Sequence, residues 1–215
     1  MIEARRIITC EADLREGVDY LLAVEPRFEI ALRAGGPPPL RRRSGGFAAL
    51  FMILVEQQVS VASGRAIWAR IEAAGCVTPQ ATLGRSAEEL RALGLSRPKA
   101  RYAHESARAV AEGRICFDRL ALAPTEDAMA ELCAVTGIGR WTAEVYLMFS
   151  EGRADLLPVG DIALQEAAKV LFDLDERPKE KVFDSLGAPW SPWRAVAARM
   201  LWAYYRHLKG RDGKA

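Results

Sequence analysis

The chain has 215 residues, half of them hydrophobic and 27% charged, with a formal net charge of +2. That suits one large domain or two small lobes sharing a core, and it is ordinary for a soluble globular protein. No apolar run approaches the roughly 20 residues that span a bilayer. The start, Met1-Ile2-Glu3-Ala4-Arg5-Arg6, has no apolar stretch behind it, so no secretory signal and no membrane partner are expected, and the expected location is cytoplasmic.

A charge this small does not advertise nucleic-acid binding. Its make-up says more, because only six of the 30 basic residues are lysines. Arginine favours forked contacts with phosphate, although GC-rich coding enriches arginine just as well. A DNA partner would require a local basic surface balanced by acids elsewhere. Cys10, Cys76, Cys116 and Cys133 are widely and irregularly spaced. That excludes a zinc ribbon and predicts no iron–sulfur cluster. All four are expected to be reduced, buried thiols.

The chain reads as helical nearly throughout, with no alternating run that suggests a strand. Helices are predicted at 11–24, 26–34, 46–59, 61–74, 86–93, 97–113, 124–135, 140–150, 162–172, 178–186 and 191–208. Ser86 with Glu89 spells a capping box. Pro26, Pro98 and Pro192 suit first-turn positions, and Gly75, Gly94, Gly113 and Gly152 suit helix ends. Residues 35–46, Pro/Arg-rich and bounded by glycines, read as a surface connector, the alternative being a phosphate-contacting loop. His104 and His207 have no metal-like neighbours and receive no role.

The strongest local pattern is Val135-Thr136-Gly137-Ile138-Gly139-Arg140-Trp141-Thr142-Ala143. Two glycines between helical stretches permit a sharp turn and a close approach to another surface. The N–H groups that open the following helix can then receive a phosphate, with Arg140 adding charge. An ordinary glycine turn between two helices would look the same in G-x-G alone. Twenty-two residues beyond Gly139 stands Asp161, a lone carboxylate opening an apolar helix. An N-cap is a common use of such a residue, and that role is compatible with chemistry.

The spelling around the glycines resembles the helix–hairpin–helix motif of the base-excision DNA glycosylase superfamily, over about residues 46–205. The resemblance implies an all-α, two-lobed helix–hairpin–helix glycosylase fold without an N-terminal α/β domain. It implies a segment 1–45, a core 46–208 and a tail 209–215. The N- and C-terminal segments would share one lobe, and the hairpin and Asp161 would face a cleft. Gly137, Ile138, Gly139, Arg140 and Thr142 match the residues that grip the DNA backbone. The backbone carbonyls of Cys133, Val135 and Ile138 match positions that hold an alkali cation, Na+ or K+; no other cofactor is implied.

Asp161 matches the catalytic acid. Breaking an N-glycosidic bond builds positive charge on the sugar, which a carboxylate in a partly dry site stabilises while orienting water. Gly160 departs from relatives that carry a second acid there. Bifunctional members have a lysine nucleophile where this chain has Trp141, and no lysine lies between 100 and 168. The resemblance therefore implies a monofunctional enzyme without strand-cleaving activity.

G-I-G-R-W-T-A is most similar to the inducible 3-methyladenine glycosylase branch. There Trp141 and Trp202 match aromatics of the base pocket, and Val145 falls where some relatives have a third. Alkylated purines are cationic, and a desolvated indole attracts such a ring by up to ~2 kcal/mol. Gln58, flanked by Gln57 and Val59, matches the wedge that fills the gap left by an extruded base. The partner implied is double-stranded DNA containing alkylated bases, met by a monomer. Two rivals stay open: a glycosylase of this fold with another damaged base, and a non-catalytic DNA-binding module.

Overall fold

The structure is a computed structural model that describes residues 6–212. The first five and last three residues, which begin the expected 1–45 segment and end the expected tail, lie outside the described residues. The chain divides into two compact units. One takes the chain up to Arg42 together with everything from Gly152 onward, and the other is the uninterrupted stretch Arg43–Glu151.

The first unit contains α1 (Glu11–Val24), α2 (Phe28–Gly35), α11 (Ile162–Leu171), α12 (Glu180–Gly187) and α13 (Arg194–Asp212). A short 3-10 turn, Ala188–Trp190, follows α12. Its core is aromatic: Trp190 stacks on Phe172 with centroids 5.6 Å apart and meets Phe28 edge-on at 5.1 Å. Helix α13 is the spine, with α1, α2 and α11 packed against it. Gly17 is what lets α1 come so near, since a Cβ there would stand 2.6 Å from Val196 and 2.9 Å from Trp193. The first described residues are tied in by an isolated antiparallel bridge between Ile7 and Arg153. No strand is present among the described residues.

The second unit contains α3 (Phe47–Glu56), α4 (Val61–Ala73), α5 (Pro79–Leu83), α6 (Ala87–Ala92) and α7 (Arg97–Ala111). These are followed by α8 (Phe117–Leu122), α9 (Thr125–Cys133) and α10 (Arg140–Tyr146), which runs on into a π-helical turn, Leu147–Glu151. Phe47, Leu50, Phe51, Ile53, Leu54 and Val55 are all buried, so α3 is apolar nearly all round and sits inside a ring of α4, α7 and α10.

Helix starts follow the sequence signals. Ser86 Oγ accepts the Glu89 N–H at 3.1 Å while the Glu89 carboxylate accepts the Ser86 N–H at 2.7 Å, the reciprocal box. Gly75, Gly94, Gly113 and Gly152 all have positive φ at helix ends. Three expectations differ. Helices α5 and α8, of 5 and 6 residues, are too short to show a period and were not foreseen. Pro26 and Pro192 precede their helices, which begin at Phe28 and Arg194. Helix α13 also continues through 209–212, the first part of the expected tail.

Cysteine burial is a further correction: Cys76 is buried, Cys116 is half-buried, and Cys10 and Cys133 are exposed, because both sit at helix ends. All four are free thiols. The connector 35–46 is more engaged than a solvated loop. Arg43 pairs with Glu56 at 2.9 Å, and Arg42 donates to the Ile8 carbonyl at 2.8 Å.

Helix α1 begins on a carboxylate that reaches backward. Asp13 accepts from the Thr9 N–H at 2.6 Å, the Thr9 hydroxyl at 2.8 Å and the Cys10 N–H at 3.0 Å. These bonds, the Thr9 N–H foremost, hold its pKa down to about 2 from the ordinary 3.8. A depressed carboxylate contributes stability above its unfolded pKa and loses it as pH falls through the folded value. Asp13→Asn should therefore lower stability by about 1 kcal/mol at neutral pH. The deficit should shrink as pH falls from 3.8 to about 2, read by urea denaturation of both proteins.

Candidate nucleic-acid interface and catalytic carboxylate

The glycine turn lies in the second unit, where α9 ends at Cys133 and α10 begins at Arg140. Its two glycines do different work. Gly137 has φ +96°, and a Cβ there would stand 2.2 Å from the Tyr102 ring. It is the glycine of close packing. Gly139 has φ −84°, and nothing lies within 4 Å of a Cβ built on it. It is exposed, as are Thr136 and Arg140, whereas Val135 and Ile138 between them are buried. The turn thus anchors itself on two apolar residues three positions apart and leaves Thr136, Gly139 and Arg140 outward. The Val135 carbonyl accepts from the Ile138 N–H at 3.0 Å. Among the described residues no backbone N–H is directed at the carbonyls of Cys133 or Ile138.

Helix α10 carries charge as a pair. Glu144, 2% exposed, accepts from Arg140 Nε at 2.8 Å, and Arg140 keeps 63% of its side chain exposed. The buried acid restricts the swing of an exposed guanidinium. Thr142 is buried, so its hydroxyl faces inward and only its backbone is placed for an external partner. Val145 is likewise buried.

Behind the hairpin lies the turn that follows α3. Gln57 is half-buried and both hydrogens of its side-chain amide are engaged. Nε2 donates to the Gly137 carbonyl at 3.2 Å and to Thr142 Oγ1 at 2.8 Å. Gln58 and Val59 are exposed at the tip. Gln58 has φ +51°, the left-handed region that residues with a side chain seldom enter. The first turn of α7 contributes an unforeseen inward contact: Lys99 Nζ donates to the carbonyls of Val55 at 2.7 Å and Gln57 at 2.5 Å. Burial holds its pKa below the usual lysine value. A cavity of about 260 Å³ lies here, with Gln58, Val59 and Lys99 among its lining residues.

Asp161 belongs to the first unit. Its Oδ1 accepts the Leu164 N–H at 3.0 Å, so it is the N-cap of α11. Gln165 Nε2 braces the preceding loop through the Val159 carbonyl at 2.7 Å. Arg194 Nε and Ser191 Oγ bind the Asp155 carboxylate at 2.6 and 2.9 Å. The loop that delivers Asp161 is therefore pinned to the start of α13. A second carboxylate approaches from α12. Glu180 Oε1 lies 3.3 Å from where a Cβ on Gly160 would stand. No pattern local to residue 160 could disclose it.

The five tryptophans separate by burial. Trp68, Trp190 and Trp193 are buried core residues, whereas Trp141 and Trp202 keep part of their surface open. Among the described residues no three His, Cys, Asp or Glu side chains are grouped to hold a metal ion. No described helix is long and apolar enough to cross a membrane.

Known proteins resemble this chain in sequence and in fold. Residues 51–192 match the HhH-GPD superfamily of base excision DNA repair proteins. A Bacillus subtilis protein named "Putative DNA-3-methyladenine glycosylase YfjP" is 38% identical over 115 residues, which is 54% of this chain. The chain spans only 40% of that relative's length. The crystal structure of a DNA-3-methyladenine glycosidase from Bacillus halodurans is 32% identical, with a TM-score of 0.77 over 90% of this chain and 91% of that one. The fold is shared also with the Schizosaccharomyces pombe 3-methyladenine DNA glycosylase Mag1 in complex with abasic DNA. That match has a TM-score of 0.81 at 24% identity, over 87% and 95% of the two chains.

The two glycines predict opposite mutational behaviour. Gly137→Ala should cost at least 1–3 kcal/mol, about what strain at a special φ combined with overpacking removes. Gly139→Ala should stay within roughly 0.5 kcal/mol of the unaltered protein. Urea denaturation of both variants checks the contrast.

Proposed function

We propose, from the premise that the chain belongs to the HhH-GPD superfamily of base excision DNA repair proteins, that it is a monofunctional DNA N-glycosylase hydrolysing the glycosidic bond of alkylated purines. The observation that carries this reading is the half-buried Asp161 carboxylate, fixed at the head of α11 by its bond to the Leu164 N–H at 3.0 Å. An oxocarbenium-like sugar needs a preorganised negative charge. A carboxylate capping a helix is already oriented before substrate arrives. It steadies the sugar cation and orients the attacking water. N3- and N7-alkylated purines leave as neutral bases, so one carboxylate suffices and no general acid is required.

Trp202, on α13, and Trp141, just past the hairpin, are half-buried with part of each indole open, and they receive the extruded base. Val145 is the small neighbour in α10 that leaves room beside Trp141. A cationic base gains up to ~2 kcal/mol from each desolvated indole face. Trp141 also occupies the position of the lysine nucleophile in bifunctional relatives, so water is the nucleophile and the strand stays intact.

The backbone of Gly137–Thr142 takes the DNA phosphate, with Arg140 alongside. The carbonyls of Cys133, Val135 and Ile138 hold an alkali cation, whose charge assists that contact. The two without a backbone N–H directed at them offer full acceptor capacity for it. Gln58, with Val59, is the wedge, and Gln57 is its support. The partner is double-stranded DNA, bound by a monomer.

Single-turnover release of 7-methylguanine from a duplex tests the chemistry. Asp161→Asn keeps a good N-cap, so folding and DNA affinity should change little while release falls by about 100- to 1,000-fold. Full activity in the variant, or no release by the unaltered protein, would sink the reading. Trp141→Lys alone should not produce efficient strand nicking on an abasic duplex, and robust nicking by the unaltered protein would contradict hydrolysis by water.

A further inference from the structure

Gln58 sits at φ +51° although it has a side chain and the turn contains no glycine. Such a backbone costs of order 1 kcal/mol and persists only where its surroundings impose it. The peptide plane that leads into Gln58 carries the Gln57 carbonyl, and Lys99 Nζ binds that carbonyl at 2.5 Å. The same ammonium binds the Val55 carbonyl at 2.7 Å, one of the acceptors that a helix end leaves unused. Charge-assisted bonds of this kind are about twice as strong as neutral ones, and the C-terminus of α3 is the pole of the helix dipole that favours a cation. Lys99 comes from the first turn of α7 and is half-buried. Its ammonium is engaged inward, at the base of the turn. Gln57 then passes the constraint on, since its amide holds the Gly137 carbonyl and the Thr142 hydroxyl.

We propose that Lys99 is a positioning residue for base extrusion: by pinning the Gln57–Gln58 peptide it holds the wedge in its left-handed pose and, through Gln57, keeps that pose in register with the hairpin. This rests on the reading of Gln58 as the wedge. Without the ammonium the peptide can rotate, Gln58 relaxes to negative φ, and the tip no longer points where the unrelaxed backbone aims it. The chemistry at Asp161 is untouched by that change, so the loss falls on opening the duplex.

The test uses the full chain with K99M, K99R and Q58A, and 7-methylguanine placed either in a paired duplex or in a bubble of unpaired bases. K99M should slow single-turnover release from the duplex by about tenfold or more, as expected for losing hydrogen bonds to a charged donor. Release from the bubble should stay within about twofold, with K99R intermediate on the duplex. Equal loss on both substrates would mean that Lys99 only supports the fold, and would overturn the proposal. Q58A separates the two readings: if it shows no duplex-selective loss, the wedge assignment itself fails. Amide hydrogen exchange decides the coupling without any substrate. K99M should speed exchange at Gln58, Val59 and residues 138–140 while the core amides of α3 and α7 exchange as before. Unchanged exchange at the hairpin overturns the proposal even if the unaltered protein releases no base.

Discussion

One side-chain amide ties the turn after α3 to the glycine turn and helix α10 in the second unit. Gln57 stands at the end of α3, eighty residues before the hairpin, and donates one hydrogen to the Gly137 carbonyl and the other to Thr142. A turn of two glycines is intrinsically loose. Here the looseness is removed from one side by the Tyr102 ring packed against Gly137 and from the other by Gln57. What remains outward is Gly139, with nothing within 4 Å of a Cβ built on it, beside the exposed Arg140. Rigid support beneath an open surface is what a contact made through N–H groups requires, because those groups carry no side chain to adapt.

The electrostatic arrangement follows the same economy. A net charge of +2 cannot steer a polyanion over a distance, so the DNA contact proposed above must depend on placed charges. Arg140 is placed by the buried Glu144. The single negative group assigned to chemistry, Asp161, is placed by the helix it caps. In both cases the group in question is held by a bond made along, or at the head of, its own helix.

Much of this was legible in the sequence, and the exceptions share a cause. Capping boxes, helix-ending glycines and the G-I-G turn are local patterns, and Ser86, Gly94 and Gly137 appear where local rules put them. The N-cap role of Asp161 could be read for the same reason. Lys99 could not: only the packing of α7 against α3 reveals that its ammonium ends on two carbonyls. The bonds of Gln57 and the approach of Glu180 to Gly160 are also long-range, and no spacing encodes them. Cys10 and Cys133 are exposed against expectation because cysteine's average burial says nothing about a residue that falls at a helix end. Helices of five or six residues leave too little period to detect.

The division of the chain has a consequence for how the protein comes to be made. The second unit is one unbroken stretch, complete once Glu151 has been synthesised, whereas the first is assembled from segments on either side of it and lacks its spine until α13 emerges. Domains fold as units in the order in which the ribosome releases them. The hairpin therefore matures on the nascent chain before the helix headed by Asp161 has α13, its main packing partner, to rest on. A truncated product would carry the proposed grip without the proposed catalyst, and every chain that acquires Asp161 has already built the hairpin.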